Sequence, residues 1–222
     1  MKKQVVEVSS LVRRFNGRKA VLDGISFSVL EGEFVSIFGK SGCGKTTLLN
    51  IIGGLDRPNS GTVLVNNRNL VELSEDELAK FRLRNIGFVF QDFNLLLDMT
   101  VRENIALPLA FGGKNDDRHV ADLLKAFDIE DIAGEAANKI SGGEAQRAAV
   151  ARAMVNRPAI ILADEPTGNL DDENTDRVIE TLMVAKRDFG ATIILATHDR
   201  EIANRSSSTL FLSEGRAILQ HR

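Results

Sequence analysis

Phe34–Thr47 reads FVSIFGKSGCGKTT: a short apolar run, a glycine-rich loop, then residues that start a helix. A buried strand delivering the chain into GKSGCGKT, with a helix behind, is the context a phosphate-binding loop requires. Gly39, Gly42 and Gly44 let the backbone wrap an anion, and a helix from Thr46 to about Ile52 adds partial positive charge at its first turn. In this reading Lys45 reaches the β- and γ-phosphates of a nucleotide and Thr46 ligates Mg2+. Lys40, Ser41, Cys43 and Thr47 complete the loop. Cys43, the only cysteine, reads either as a small filler or as a redox-sensitive thiol.

Three further polar positions follow apolar runs of strand length. IILADE (160–165) brings Asp164 and Glu165 to a strand's C-terminal end, where open α/β sheets bind ligands. Asp164 suits Mg2+, and Glu165 suits a general base that polarises an attacking water. Gln91 follows IGFVF and His198 follows TIILAT, so both can reach a terminal phosphate or its water. Gln91 is a third candidate contact to the metal, beside Thr46 and Asp164.

Ile140–Arg147, ISGGEAQR, opens a helical run. Ser141, Gly142, Gly143 and Glu144 place a hydroxyl and backbone N–H groups at a helix start, a second anion site in a chain that already has one. The reading offered for this duplication is that it serves the nucleotide held by another copy of the chain.

Strand character dominates residues 3–38, with turns expected at Asn16-Gly17 and Glu31-Gly32. A turn is read at 57–61, a strand at 62–65, and a helix over 74–84 whose Ser74 and Glu77 have capping-box spacing. Between Gln91 and Pro158 the pattern is helical only, which suggests an all-helical insert. Strands at 159–163 and 192–196 flank a helix around Val178–Met183, and a hairpin turning at Glu214-Gly215 ends the chain. Strands alternating with helices imply a mostly parallel sheet covered on both faces.

The ordered set GKSGCGKT, Gln91, ISGGE, ILADE, the Gly168–Asp171 turn and Thr197-His198-Asp199 resembles the ATPase subunit of ABC transporters across essentially the whole chain. The resemblance implies an α/β P-loop NTPase of 222 residues. Its RecA-like, mostly parallel core and N-terminal antiparallel β-subdomain would take up 1–90 and 157–222, with an α-helical subdomain at 91–156. It implies ATP and Mg2+ as ligands and a homodimer in which Ser141–Glu144 contact the γ-phosphate bound by the opposite subunit. By the same resemblance Asp171 lies in the segment linking the two sites. Gln91 couples nucleotide to a membrane permease, and His198 bridges γ-phosphate and partner subunit. Phe15 best matches the adenine-stacking position, where Phe keeps the π-face of the usual Tyr; the alternative is a core or edge-strand Phe.

Finer wording, IIGGLDRPNSG (51–61), GFVFQDFNLLLDMTVRENIALPL (87–109) and ADEPTGNLD (163–171), resembles the lipoprotein-releasing, macrolide-exporting and cell-division subgroup. The expected output is permease-driven release or export, with regulation of a cell-wall hydrolase as the alternative. Leu95–Leu109 reads either as core helix or as the surface that receives the permease.

Composition agrees with a soluble globular protein: 43% hydrophobic and 27% charged residues. A net charge of −3 argues against a general nucleic-acid binder. One cysteine precludes an internal disulfide and fits a reducing cytosol. The start MKKQVVEV lacks the apolar stretch of a signal peptide, and no apolar run reaches the roughly 18 residues of a membrane span. A membrane role, at the cytoplasmic face, would therefore need another chain to supply the spans. Arg13, Arg14, Arg18 and Lys19 read as a solvated face, and His119 and His221 carry no assigned role.

Overall fold

The computed structural model describes residues 3–15 and 19–221. The turn expected at Asn16-Gly17, and Arg18, lie outside them. Two sheets organise the molecule. Strands β1 (Gln4–Arg13), β2 (Leu22–Leu30), β4 (Ser60–Val65) and β5 (Arg68–Asn69) form an antiparallel sheet in the order β2-β1-β4-β5. Strands β3 (Phe34–Phe38), β6 (Ile86–Val89), β7 (Ile160–Asp164), β8 (Ile193–Thr197), β9 (Ser208–Ser213) and β10 (Arg216–His221) form the second, in the order β10-β9-β3-β8-β7-β6. All its neighbours run parallel except β9 and β10, the C-terminal hairpin.

Among the described residues are seven α-helices: α1 (Lys45–Ile52), α2 (Glu75–Asn85), α3 (Val101–Phe111), α4 (Asp117–Ala126), α5 (Gly142–Met154), α6 (Asp172–Phe189) and α7 (Arg200–Asn204). The Ser74–Glu77 capping box is present, and Thr100–Glu103 and Ser141–Glu144 form two more at the starts of α3 and α5. Both carry the Ser/Thr-x-x-Glu signal, in which side chain and backbone satisfy each other's first-turn groups. The turn read at 57–61 is shorter than expected, because Ser60 already pairs with Val12 of β1. Helix α7, capped by Asp199, was not anticipated.

The parallel sheet is apolar on both faces, which divides the core in two. Ile160, Leu162, Ile194 and Ala196 pack with α1 and the antiparallel sheet. Ile161, Ala163, Ile193 and Leu195 pack with α3–α6. Helices between β6 and β7 thus share a core with the sheet. At full burial each such aliphatic side chain contributes about 1.5–3 kcal/mol.

Helix α5 lies close against β6. A Cβ added at Gly87 would come within 2.3 Å of the Ala153 carbonyl oxygen, so only glycine admits this approach. Gly87→Ala should cost about 1–3 kcal/mol through overpacking, read as a lower urea midpoint with an unchanged slope. An unaltered midpoint would show that α5 shifts freely on the sheet.

Candidate functional site

Parallel strands β3, β6, β7 and β8 end at one edge of their sheet, and the residues just beyond them converge there. Gly39 follows β3, Glu165 follows β7, His198 follows β8 and Gln91 lies just past β6. Together with Phe15, Lys40, Ser41, Gly42, Gly44, Lys45, Thr46, Thr47 and Gly168 they line a cavity of about 1030 Å3. Cys43 lines none of it: its thiol packs against the core, and its N–H donates to Lys40 O at 3.2 Å. That packing makes it a filler. Gly39 is sterically required, since a Cβ there would fall 2.4 Å from Leu212 O and 2.7 Å from the Cys43 sulfur.

Helix α1 stands apart from the other described α-helices. Helices α2–α7 all begin with a side chain accepting from a first-turn N–H; α1 has no side-chain cap and no acid in its first turn. Its N-terminal N–H groups and the dipole's positive end therefore face the cavity without a protein anion. Lys45, only 4% exposed, donates to Gly39 O at 3.0 Å and Lys40 O at 3.3 Å and pairs with Glu165 at 3.1 Å. The other Glu165 oxygen lies 2.6 Å from His198 Nδ1. Glu165 holds this position with φ at +46°, a left-handed conformation uncommon for a side-chain-bearing residue and frequent at functional sites.

Asp164 lies beside Thr46, which hydrogen-bonds its carboxyl. Burial raises the Asp164 pKa, the Thr46 hydrogen bond opposes that, and the Glu165 charge adds to it. Asp164 Oδ1 is buried with no partner. An orphaned carboxylate oxygen beside a threonine hydroxyl is a donor set suited to a hard divalent cation such as Mg2+.

Gln91 is held by a residue sequence reading passed over. Asn169 accepts from Gln91 Nε2 at 3.0 Å and donates to Asp92 at 3.0 Å and to the Gln91 carbonyl at 3.4 Å, clasping the Gln91 loop to the Gly168–Asp171 turn. Helix α5 grips the same loop: Gln146 donates to Phe90 O at 3.2 Å, and Arg152 donates to Phe93 O at 2.8 Å and to Asn94 O. Phe93 and Asn94 both have positive φ, so Arg152 ties down a locally unfavourable turn.

Phe15 is 41% exposed at the cavity rim. The Arg13 guanidinium lies 4.3 Å from its ring centroid, a cation–π contact, and a two-pronged pair with Asp56 at 2.8 and 3.0 Å holds Arg13 in place. Arg13 is therefore not part of the solvated face expected for it: its side chain is only 21% exposed and paired with Asp56.

Ser141, Gly142, Gly143 and Glu144 begin α5 and line none of this cavity. Their hydroxyl is not free: Ser141 Oγ donates to Glu144 Oε2 at 2.7 Å, and the same oxygen accepts from Ser141 N–H at 2.8 Å. Those bonds hold the Glu144 carboxyl below the usual carboxylate range. Asp171 is likewise a helix cap, accepting from Asn174 at the start of α6.

A family model, ABC transporter, matches residues 22–168, well over half the chain. The chain belongs to that family. Two relatives from Bacillus subtilis (strain 168) are similar over nearly its whole length. The ABC transporter ATP-binding protein YxdL is 43% identical over 216 residues, 95% of this chain and 84% of YxdL. The uncharacterized ABC transporter ATP-binding protein YvcR is 41% identical over 220 residues, 96% of this chain and 85% of YvcR.

Among solved structures, a dimeric post-hydrolysis state of the ATP-binding cassette MJ0796 bound to ADP and Pi is 36% identical, with a TM-score of 0.86 over 97% of this chain and 98% of that one. The CbiO1 protein of Clostridium perfringens, part of the ABC transporter complex CbiONQ, is 29% identical with a TM-score of 0.89, covering 99% and 89%. This ABC ATPase therefore has the cassette fold its sequence implies.

The ABC ATPase carries a titratable cost at Asp164. Its folded pKa is raised, so its contribution to stability is fully present below the unfolded value and is lost as pH rises through the folded one. Asp164→Asn should therefore raise the urea midpoint of the ligand-free protein at neutral pH, with the gain shrinking as pH falls into the carboxylate range. A gain that persists in acid would mean that ionisation of Asp164 is not its source.

Proposed function

We propose that this ABC ATPase is the energy-supplying subunit of a membrane transporter and works as a head-to-tail homodimer enclosing two ATP molecules. The observation that carries the reading is the separation of two anion-suited helix starts. Helix α1, with Lys45, Glu165 and His198, faces one cavity; Ser141–Glu144 on α5 stand outside it. A second copy can bring its α5 to that cavity. The dimer described for MJ0796, with ADP and Pi, supports both the assembly and the hydrolysis.

The loop residues Gly39, Lys40, Ser41, Gly42, Cys43, Gly44, Thr46 and Thr47 would cradle the phosphates, and Lys45 would neutralise their charge. Phe15 would stack on adenine, its ring held by Arg13. Thr46, Asp164 and Gln91 would hold Mg2+, whose charge offsets that of the phosphates. Lys45 is paired with Glu165. Incoming phosphates compete for that lysine, and the released Glu165 carboxylate takes the proton of the water attacking the γ-phosphorus. His198 orients Glu165 through Nδ1. Asp171 lies on the segment toward the second copy, and Glu144 must yield Ser141's hydroxyl to the partner's nucleotide.

Among the described residues no helix is long and apolar enough to cross a membrane; the proposed partner is a membrane permease, with the ATPase at its cytoplasmic face. Leu97, 60% exposed, and Phe111, 74% exposed, offer apolar surface, as does a groove lined in part by Leu83, Phe88, Phe90 and Pro108. This apolar surface adjoins the Gln91 loop and is the proposed landing site. The wording of 51–61 and 107–111 supports a permease of the lipoprotein-release or macrolide-export type. TGNLDD (167–172) supports the cell-division alternative. A cell-wall hydrolase adaptor co-purifying with the permease would decide for the latter.

Glu165→Gln should bind ATP, hydrolyse it 10²–10⁴-fold more slowly, and elute as a dimer with ATP and Mg2+. A variant that stays monomeric on the sizing column would contradict the general-base role or the dimer. Leu97→Glu should abolish transport in reconstituted vesicles while the detached subunit hydrolyses ATP at the wild-type rate. Undiminished transport would remove Leu97 from the permease surface. Leu97 is preferred to Met99 because Met99 is half-buried, its carbonyl accepting from Ala137 N–H at 3.0 Å.

A further inference from the structure

Arg147 is the last residue of the ISGGEAQR segment and points away from the role assigned to its start. It is 7% exposed. Its Nε is buried with no acceptor, and among the described residues its side chain makes one hydrogen bond, a long one of 3.4 Å from Nη2 to Asp128 O. No carboxylate lies within ion-pair distance of it among the described residues. Guanidinium remains charged at any pH the fold survives, and a buried cation without a counter-charge is costly. Burial depresses its pKa, the more distant charges of Asp128 and Glu144 oppose that in part, and nearby Arg177 adds to the depression.

The same arginine lines a cavity of about 350 Å3 between the end of α4, α5 and α6. Ala126, Phe127 and Val184 give it apolar walls, and Arg177 and Thr181 stand at its polar side. Arg177 already pairs with Glu173 at 2.7 Å, and the Thr181 hydroxyl donates to Arg177 O at 2.9 Å. That leaves Arg147 as the under-compensated group in the cavity. The volume lies at the lower end of the range for small-molecule sites, which are mostly apolar with a few placed polar groups.

We propose that this cavity binds a small organic monocarboxylate with an apolar body. The carboxylate accepts from the terminal N–H groups of Arg147 in the planar fork geometry that guanidinium favours. The body of the acid rests on Phe127 and Val184. Two features select one negative charge over two: Asp128 and Glu180 also line the cavity, and their charges repel a dianion such as phosphate. Helix α5 begins at the Ser141–Glu144 cap, six residues or about 9 Å of helix from Arg147, so a bound acid would brace the helix that carries that cap against α6. The site is independent of the nucleotide cavity and of the dimer proposal.

The test is isothermal titration of benzoate, and separately of inorganic phosphate, into the full chain at about neutral pH. Wild type should bind one benzoate saturably, and inorganic phosphate should not displace it. Arg147→Met, which keeps the apolar stem, should weaken binding at least about tenfold without lowering the thermal midpoint, because the uncompensated cation is gone. Val184→Phe, which fills the cavity and leaves Arg147 intact, should weaken it to a similar degree and decides the matter if Arg147→Met does not fold. The proposal is overturned if benzoate shows no saturable binding up to about 10 mM, a few kcal/mol of affinity. Equal binding in wild type and Val184→Phe, or displacement by equimolar phosphate, would overturn it as well.

Discussion

The buried ammonium of Lys45 is the constraint on which the rest of the site depends. Its charge is compensated by two carbonyls of its own loop and by Glu165, which arrives from the end of another strand. Holding that carboxylate in place requires β7 beside β8 in the parallel sheet, a left-handed backbone at Glu165, and His198 on the far oxygen. The pair is preorganised and almost dry, so any anion at the uncapped start of α1 acts on both partners at once. The interaction that organises the site is thus the one that the proposed nucleotide would rearrange.

Helix α5 is the second hub. Its first turn is closed by Ser141 and Glu144, Gln146 and Arg152 hold the loop beyond Gln91, and its last turn lies against the bare face of Gly87. Motion of the Gln91 loop is therefore mechanically linked to the helix proposed to face the second copy. Asn169 adds the other grip, joining that loop to the turn that precedes α6. The chain thereby couples three segments far apart in sequence: Gln146 and Arg152 bond main-chain carbonyls of the loop, and the Asn169 amide bonds the side chains of Gln91 and Asp92.

Much of this was legible before the fold. The strand, loop and helix of 34–52 lie almost where the pattern set them, since local spacing carries that information. Ser74–Glu77 read as a cap and is one. Thr100–Glu103 and Ser141–Glu144 carried the same spacing and were open to the same reading. The phosphate-suited hydroxyl of Ser141 turned out to be committed to Glu144, a bond three residues away that the motif itself encoded. Arg13 read as solvated because its partners, Asp56 and the Phe15 ring, come from different parts of the chain.

Sequence alone determined the strand–loop–helix nucleus, the order of the sites along the chain and the family, because each rests on residues adjacent in sequence or at helical and strand periods. Only the tertiary structure decided that Lys45 spends its charge on Glu165 and that Asn169 and Arg152 clasp the Gln91 loop. It alone left Arg147 buried without an ion pair beside a cavity with apolar walls. Those are encounters between distant segments, governed by sheet order and packing, and no local pattern encodes which buried group will go without a partner.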